Sequence, residues 1–299
     1  MKTLTVQSLF LATTFALASC GGGGGGIASS GSTPPPITPP PPPPPTTGYE
    51  PAIILPNVTS STQFAALGYE GKFFGTTEGS LNGSGFSVSY DAAANHYVMQ
   101  VPVSLPGIFK STDPGDPVIS GKLTDPSNPD QLQPIGLGAS RSRFDYSAWA
   151  FYQEQLADQT ISGWMAFGVP TPQSAVPVTG SAAYTVEAHG YGGAYIDGRA
   201  TLQFNFGAGT LSGSFDAWDA EYDPGVMSYG HFDLVNTAVG SGQSSGQFSG
   251  ELSGSSGNQH GSFNGMLTGP NAEELIARWN ATYPNSNNIM YGVWVGKKD

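Results

Sequence analysis

Cysteine is almost absent: Cys20 is the only one in 299 residues. No disulfide within the chain can hold the fold, which must stand on burial alone. Charge is scarce as well. Asp, Glu, Lys and Arg make up 11% of the chain, and 10 basic against 22 acidic residues leave a formal net charge of −12. That balance excludes wrapping along a nucleic-acid backbone and polybasic attraction to anionic lipid. An acidic surface favours a basic partner, and equally keeps a protein in solution. Helical periodicity is missing from nearly the whole length, and no apolar run suits a helix that spans a bilayer. The four histidines, His96, His189, His231 and His260, show no metal-ligand spacing. No general acid–base constellation emerges. The residues call for no cofactor, and the chain does not read as an enzyme.

The first nineteen residues read as a signal peptide: Lys2 is a small basic region, and Leu9 to Ala18 is apolar but too short to span a membrane. Leu17-Ala18-Ser19-Cys20 resembles the lipobox of bacterial lipoproteins. The resemblance implies cleavage before Cys20, diacylation of its thiol and acylation of the new amino group. Several acyl chains, at about 0.8 kcal/mol per buried CH₂, make a firm anchor where one would be marginal. Gly21 fits sorting to the outer membrane, so the expected location is the cell outer membrane, lipid-anchored and surface-exposed. An ordinary secretory signal with a stray cysteine is the competing reading. Residues 20–50 continue as glycines followed by a proline tract. Glycine gives a swivel and polyproline an extended rod of about 3.1 Å per residue, so the segment reads as a tether. A polyproline ligand for a recognition domain is the alternative.

About 250 residues remain, enough for one large domain or two small ones. From Ala65 onward, short alternating runs are punctuated by Gly, Asn, Asp and Pro, which predicts an all-β fold. Helical turns are expected only around Phe144–Asp158 and Asn271–Trp279. The first of these also reads as a strand, because Phe144, Tyr146, Ala148, Ala150 and Tyr152 alternate. Residues 51–172 are irregular, and "STDPGDPVISGKLTDPSNPDQ" reads there as an exposed loop. Trp149 and Trp164 are expected core anchors. Residues 173–299 are regular, with about eight strand-like runs joined by short polar connections. Eight such strands with one apolar face close most economically into an antiparallel up-and-down barrel. Three runs place glycine between large apolar residues: Leu211-x-Gly213-x-Phe215, Phe248-x-Gly250-x-Leu252 and Phe263-x-Gly265-x-Leu267. An eight-stranded barrel has an interior only just wide enough for side chains. The glycines are expected to leave room for rings from opposite strands and to let the strands coil, giving a packed interior.

"GSFNGMLTGPNAEELIARW…YGVWVGKKD" resembles the barrel terminus of the transferrin-binding protein B family of surface lipoproteins. "AFGVPTPQ…VPVTGSAAYTV" is similar to that family's crossing into its barrel. The resemblance covers residues ~165–299 well and the part before only loosely. It implies one lobe of that architecture: an irregular β-rich handle over 51–172, followed by an eight-stranded barrel over 173–299. The family has two lobes and this chain has room for one. Where the family has glycines after GPNAEEL, Ile276, Ala277 and Arg278 stand here. The motif Gly269, Pro270, Asn271, Ala272, Glu273, Glu274 and Leu275 has a physical reading of its own. Pro270 ends a strand, Asn271 caps a turn, and Glu273 and Glu274 suit the start of a short helical turn.

Other motifs carry less. Gly242-Gln243-Ser244-Ser245-Gly246 matches the nucleophile elbow G-x-S-x-G, but lies in a polar hairpin connection without the strand–turn–helix context. "GYGGAYIDG" has no following helix to cradle a phosphate and reads as a hairpin loop. "DAWDAEYD" gathers Asp216, Asp219, Glu221 and Asp223 at a loop, as a solvated acidic turn or a Ca²⁺ site without EF-hand spacing. With Trp218 and Tyr222 beside Asp219, Glu221 and Asp223, it is also a candidate partner patch. His189 and Tyr191 point the same way from a strand, which makes them candidate haem or iron ligands. The expected function is a surface binding module for a macromolecular partner in iron or haem acquisition. By resemblance that partner is an iron or haem carrier, or a TonB-type receptor for one. The alternatives are a lipoprotein binding a small ligand, haem or a siderophore, and a structural or adhesive envelope lipoprotein.

Overall fold

In the computed structural model, every regular element among the described residues is a strand, except a 3-10 turn at Gln173–Ala175. The structure describes residues 55, 57–74, 77–93, 96–102, 107–109, 118–122, 134–138, 144–155, 160–224, 226–241, 246–255, 258–283 and 288–299. The expected signal peptide, Cys20, the expected tether and residues 242–245 of the G-x-S-x-G match lie outside them.

Nine strands come first: β1 (Thr62–Phe74), β2 (Thr77–Asn82), β3 (Ser87–Asp91), β4 (His96–Gln100), β5 (Gly107–Phe109), β6 (Val118–Lys122), β7 (Pro134–Gly138), β8 (Ser147–Gln155) and β9 (Thr160–Gly168). They form one sheet in the order β5-β4-β3-β1-β9-β8-β7-β6, with β2 pairing β1. The expected helical turn after Phe144 is therefore a strand, and its alternation is the reason. Ala148, Ala150 and Tyr152 join Phe64, Met165 and Phe167 in the core of this handle sheet, while Trp149 and Phe151 face the other way. The supposed loop at residues 111–131 contains β6, paired to β7 from Val118↔Gly138 to Lys122↔Pro134. Its Val-Ile pair supplies β propensity that the flanking prolines hide.

Eight strands follow: β10 (Ser181–Tyr191), β11 (Tyr195–Asn205), β12 (Thr210–Asp219), β13 (Ser228–Val239), β14 (Gln247–Gly254), β15 (His260–Thr268), β16 (Glu274–Thr282) and β17 (Ile289–Lys298). Each pairs antiparallel with the next, and β17 returns to β10, closing the barrel. The interior is filled. The Phe215 ring centroid lies 4.8 Å from that of Trp279 and 5.3 Å from that of Trp294. Phe263 meets Trp294 at 5.1 Å, and Phe248 meets Phe204 edge-on at 5.2 Å.

The glycines serve this packing differently from the expectation. Gly250 pairs with Phe263, and Phe248 with Gly265, across the same two neighbouring strands. A Cβ on Gly250 would lie 2.5 Å from the Phe263 ring, and one on Gly265 would lie 2.4 Å from the Phe248 ring. The rings thus come from adjacent strands, each lying over the glycine opposite, which restores the apolar cover that glycine lacks. Gly213 has another reason. Its φ is +147°, and a Cβ there would strike the Thr201 carbonyl oxygen at 1.8 Å.

The handle packs on β10, β16 and β17 through a seam of Trp164, Ala166, Ile276, Tyr291, Val293 and Val295. Trp149 and Trp164 anchor this seam rather than the handle's own core. With the barrel interior on one side and the handle on the other, β16 and β17 are buried on both faces. A short strand buried on both sides cannot be told from a buried helical segment by periodicity. That is why Asn271–Trp279 suggested a helical turn and is largely strand. The departures Ile276, Ala277 and Arg278 belong to this contact. Ile276 enters the seam and Ala277 the barrel. Arg278 donates to the carbonyls of Gly68 and Gly83 and, through Nε, to Asn264 Oδ1 at 2.8 Å. Its guanidinium also lies 4.9 Å from the Tyr69 ring centroid.

Candidate functional site

The two ends of the barrel differ in what their connections do with side chains. At one end, the connection between β15 and β16 carries Gly269 to Glu273. Gly269 has φ +83° and Ala272 φ +59°, so a tight irregular turn stands where a helical turn was expected. The Tyr184 hydroxyl donates to the Ala272 carbonyl at 2.6 Å. Burial first, and the Glu273 charge second, hold that phenol above its ordinary range. Glu273 accepts from the Asn271 backbone and side-chain N–H, each at 2.8 Å. Glu274 is 0% exposed and accepts the backbone N–H groups of Asp145 at 2.6 Å and Tyr146 at 3.0 Å. Leu275 is buried in the barrel. Pro270 and Asn271 are exposed at the turn. Most of this motif is turned inward, fastening the handle to the barrel.

At the opposite end, residues 192–194 join β10 to β11 and residues 220–227 join β12 to β13. Asp219 is 5% exposed and fixes the second connection. One carboxylate oxygen accepts the Glu221 N–H at 3.0 Å, and the other accepts the Tyr229 O–H at 2.6 Å. Burial first, then the Asp219 bond, holds the Tyr229 phenol above its ordinary range. Backbone bonds complete the loop: Tyr222 N–H to Asp219 O at 3.1 Å, Val226 N–H to Asp223 O at 3.0 Å, and Ala220 N–H to Tyr195 O at 2.9 Å. On this framework stand Tyr222 at 48% exposure, Val226 at 69%, Met227 at 47% and Tyr195 at 38%. They are four of the five large apolar side chains exposed among the described residues; the fifth, Val178, is at the other end.

The residues singled out in "DAWDAEYD" therefore divide. Glu221, Tyr222 and Asp223 are exposed, Trp218 is half-buried, and Asp219 is a buried fastener. Asp216 turns to the barrel flank, where it meets His231 Nδ1 at 2.7 Å. Among the described residues no group of three or more His, Cys, Asp or Glu is placed to hold a metal ion. Sequence reasoning missed Tyr195, Val226 and Met227. The signal was available: Val-Met directly after Asp-Pro-Gly puts two apolar residues in a turn segment that is ordinarily polar.

His189 and Tyr191 do leave β10 on the face turned toward the handle. The ring against His189 is Trp149, stacked at 4.1 Å and 25°, while Nδ1 meets Asp197 at 2.9 Å. Nε2 is buried without a partner. Tyr191 packs edge-on to Tyr195 at 5.8 Å.

No family model matches the chain, and no curated protein matches it. Among solved structures it is similar to a tryptophan-to-alanine mutant of transferrin binding protein B from Haemophilus parasuis. The identity is 14% over 72% of this chain and 51% of that one, with a TM-score of 0.42. The chain thus spans about half the length of that protein. It is also similar to the N-lobe domain of lactoferrin binding protein B from Moraxella bovis. There the identity is 14% over 78% of this chain and 99% of that one, with a TM-score of 0.38. A third is isotype 1 transferrin binding protein B from serogroup B Neisseria meningitidis, 12% identical over 72% of this chain and 49% of that one, TM-score 0.37. The likeness is one of fold. It assigns no ligand to this chain.

Proposed function

We propose that this protein is a binding module, held to the outer membrane by lipid on Cys20, that engages a protein partner through its surface. The observation that carries the reading is the filled barrel: Phe215, Trp279 and Trp294 occupy the space in which a barrel of this size would hold a ligand. The partner class is an iron- or haem-carrying protein, or its TonB-type receptor. The motif resemblance implies that class, and the similar structures are of proteins named for binding transferrin and lactoferrin.

The test is capture by the full-length protein of transferrin, lactoferrin and haemoglobin, each iron- or haem-loaded and stripped. Saturable binding of at least one carrier is expected, and binding of none overturns the carrier assignment. A haem titration followed at the Soret band, with His189→Ala beside it, is the parallel arm. A spectral shift that the substitution abolishes would replace this reading with a small-ligand one.

A further inference from the structure

The exposed side chains at one end of the barrel form a set. A single exposed apolar residue needs no explanation, and Val178, 76% exposed at the other end, is of that kind. Tyr195, the first residue of β11, and Tyr222, Val226 and Met227, in the connection from β12 to β13, are neighbours through the Ala220–Tyr195 backbone bond. The loop that carries three of them is held from below by the Asp219 carboxylate, so these side chains are presented on an ordered support. A surface ordered before contact loses less freedom on binding, and aromatic residues and methionine are the types enriched where interfaces bury area.

The second observation is the sign of the charge around the set. Between residues 216 and 233 the chain has four exposed carboxylates, Asp216, Glu221, Asp223 and Asp233, and no Lys or Arg, while Arg199 of the neighbouring strand stands opposite Asp216. Glu221 and Asp223 flank Tyr222 and are exposed with it. Asp216 and Asp233 lie down the flank on either side of His231. Across a Debye length of about 8–10 Å, such a border attracts cationic groups and repels anionic ones.

We propose that this end of the barrel is a docking surface for a basic protein surface, in which an apolar pocket ringed by Lys or Arg receives Tyr222, Val226 and Met227. The proposal rests on the partner-binding reading above and names the chemistry of what that partner presents. A lipid surface is the competing occupant.

The experiment uses the full-length protein with three probes: an amphipathic lysine–leucine peptide, its glutamate–leucine counterpart, and zwitterionic phosphatidylcholine vesicles. Wild type is expected to bind the lysine–leucine peptide at least tenfold more tightly than the glutamate–leucine peptide, with the preference shrinking as salt rises. Tyr222→Ser/Val226→Ser/Met227→Ser weakens the first interaction at least tenfold, and Val178→Ser leaves it unchanged. Glu221→Lys/Asp223→Lys reverses the preference without touching the apolar set. Near-ultraviolet circular dichroism checks that each variant is folded. Equal affinity for the two peptides, an undiminished triple variant, or tighter binding to vesicles overturns the proposal. If an iron carrier binds wild type and triple variant alike, this surface falls while the carrier reading stands. Peptide discrimination without carrier binding leaves the reverse.

Discussion

Both ends of the barrel use the same device, a buried carboxylate that accepts protein N–H or O–H groups, and they use it for different ends. Glu274 reaches across the chain to Asp145 and Tyr146 and so joins handle to barrel. Asp219 reaches only to Glu221 and Tyr229 and so joins a loop to itself. Around Glu274 the neighbours are internal or paired: Thr268 Oγ1 lies 2.6 Å from Ser147 Oγ, and Lys297 Nζ lies 3.2 Å from Asp145 Oδ2. Around Asp219, Tyr229 is buried in the barrel while Tyr222, Val226 and Met227 are exposed. The difference teaches that a conspicuous motif can be consumed by architecture, while an undistinguished turn is left facing solvent with apolar residues to spare.

The largest expected effect comes from breaking the inward end. Glu274→Ala removes the acceptor of two N–H groups at a fully buried position and leaves a gap beside them, a loss of about 3–5 kcal/mol. Urea denaturation below pH 4.5, where the Glu274 contribution is whole, checks this through a lowered midpoint at unchanged slope. A change within experimental scatter would show that the handle is held by its apolar seam alone. Next comes the wall between the two ends. Gly265→Ala places a methyl group 2.4 Å from both the Phe248 ring and the Ile276 carbonyl oxygen. Overpacking of this kind costs about 2 kcal/mol. For Gly250→Ala the nearest atoms are those of the Phe263 ring and the Thr237 methyl, side-chain atoms that can shift, and it should cost less. If the two variants lose equal stability, the ring cover and not the backbone approach dominates.

At the outward end, Asp219→Ala should cost only about 1–2 kcal/mol, because water can reach the Glu221 N–H that it frees. Its effect on docking should exceed its effect on stability. The loop loses its fastener while Tyr222, Val226 and Met227 remain, so affinity for the lysine–leucine peptide falls through ordering entropy. Peptide titration beside thermal melting separates the two. A variant that melts earlier yet binds undiminished would show that the support is dispensable to the surface.

How much of this could be read from the residues follows from burial. Strands β10 to β15 have one apolar face and short connections, so alternation exposed them and implied closure. Strands β16 and β17 lie between two cores, and sandwiching erased the alternation of "ELIARWNAT", leaving a helical turn as the nearest pattern. The Phe248–Gly265 and Phe263–Gly250 pairs were visible as a repeat, but the register that puts each ring over the opposite glycine is a property of pairing between strands. Tyr222, Glu221 and Asp223 were legible as a patch because turn residues mark a loop. Asp219 was not separable from them, since its burial depends on Tyr229, ten residues further on.

The smallest effect divides two adjacent carboxylates at the inward end. For Glu274 burial is the largest influence and raises it above the ordinary 4.5, against the pull of the Asp145 and Tyr146 N–H groups and the Ser147 hydroxyl. Burial pushes Glu273 upward too, but the Asn271 backbone and side-chain N–H groups, its own N–H and Lys298 outweigh it and leave it below 4.5. A raised value means that the folded state holds the proton more tightly than the unfolded chain does. The contribution of Glu274 is therefore whole below 4.5 and is lost as pH rises through its folded value. Glu273 runs the other way, contributing above 4.5 and losing that as pH falls through its lower folded value. Relative to wild type, Glu274→Gln should gain stability and Glu273→Gln should lose it as the medium is taken from about pH 3 to about pH 7. Denaturation midpoints of the two variants across that range check the opposed slopes. Parallel slopes would mean that both carboxylates meet the same surroundings, and the inward end would then be no more than a second loop held by an acid.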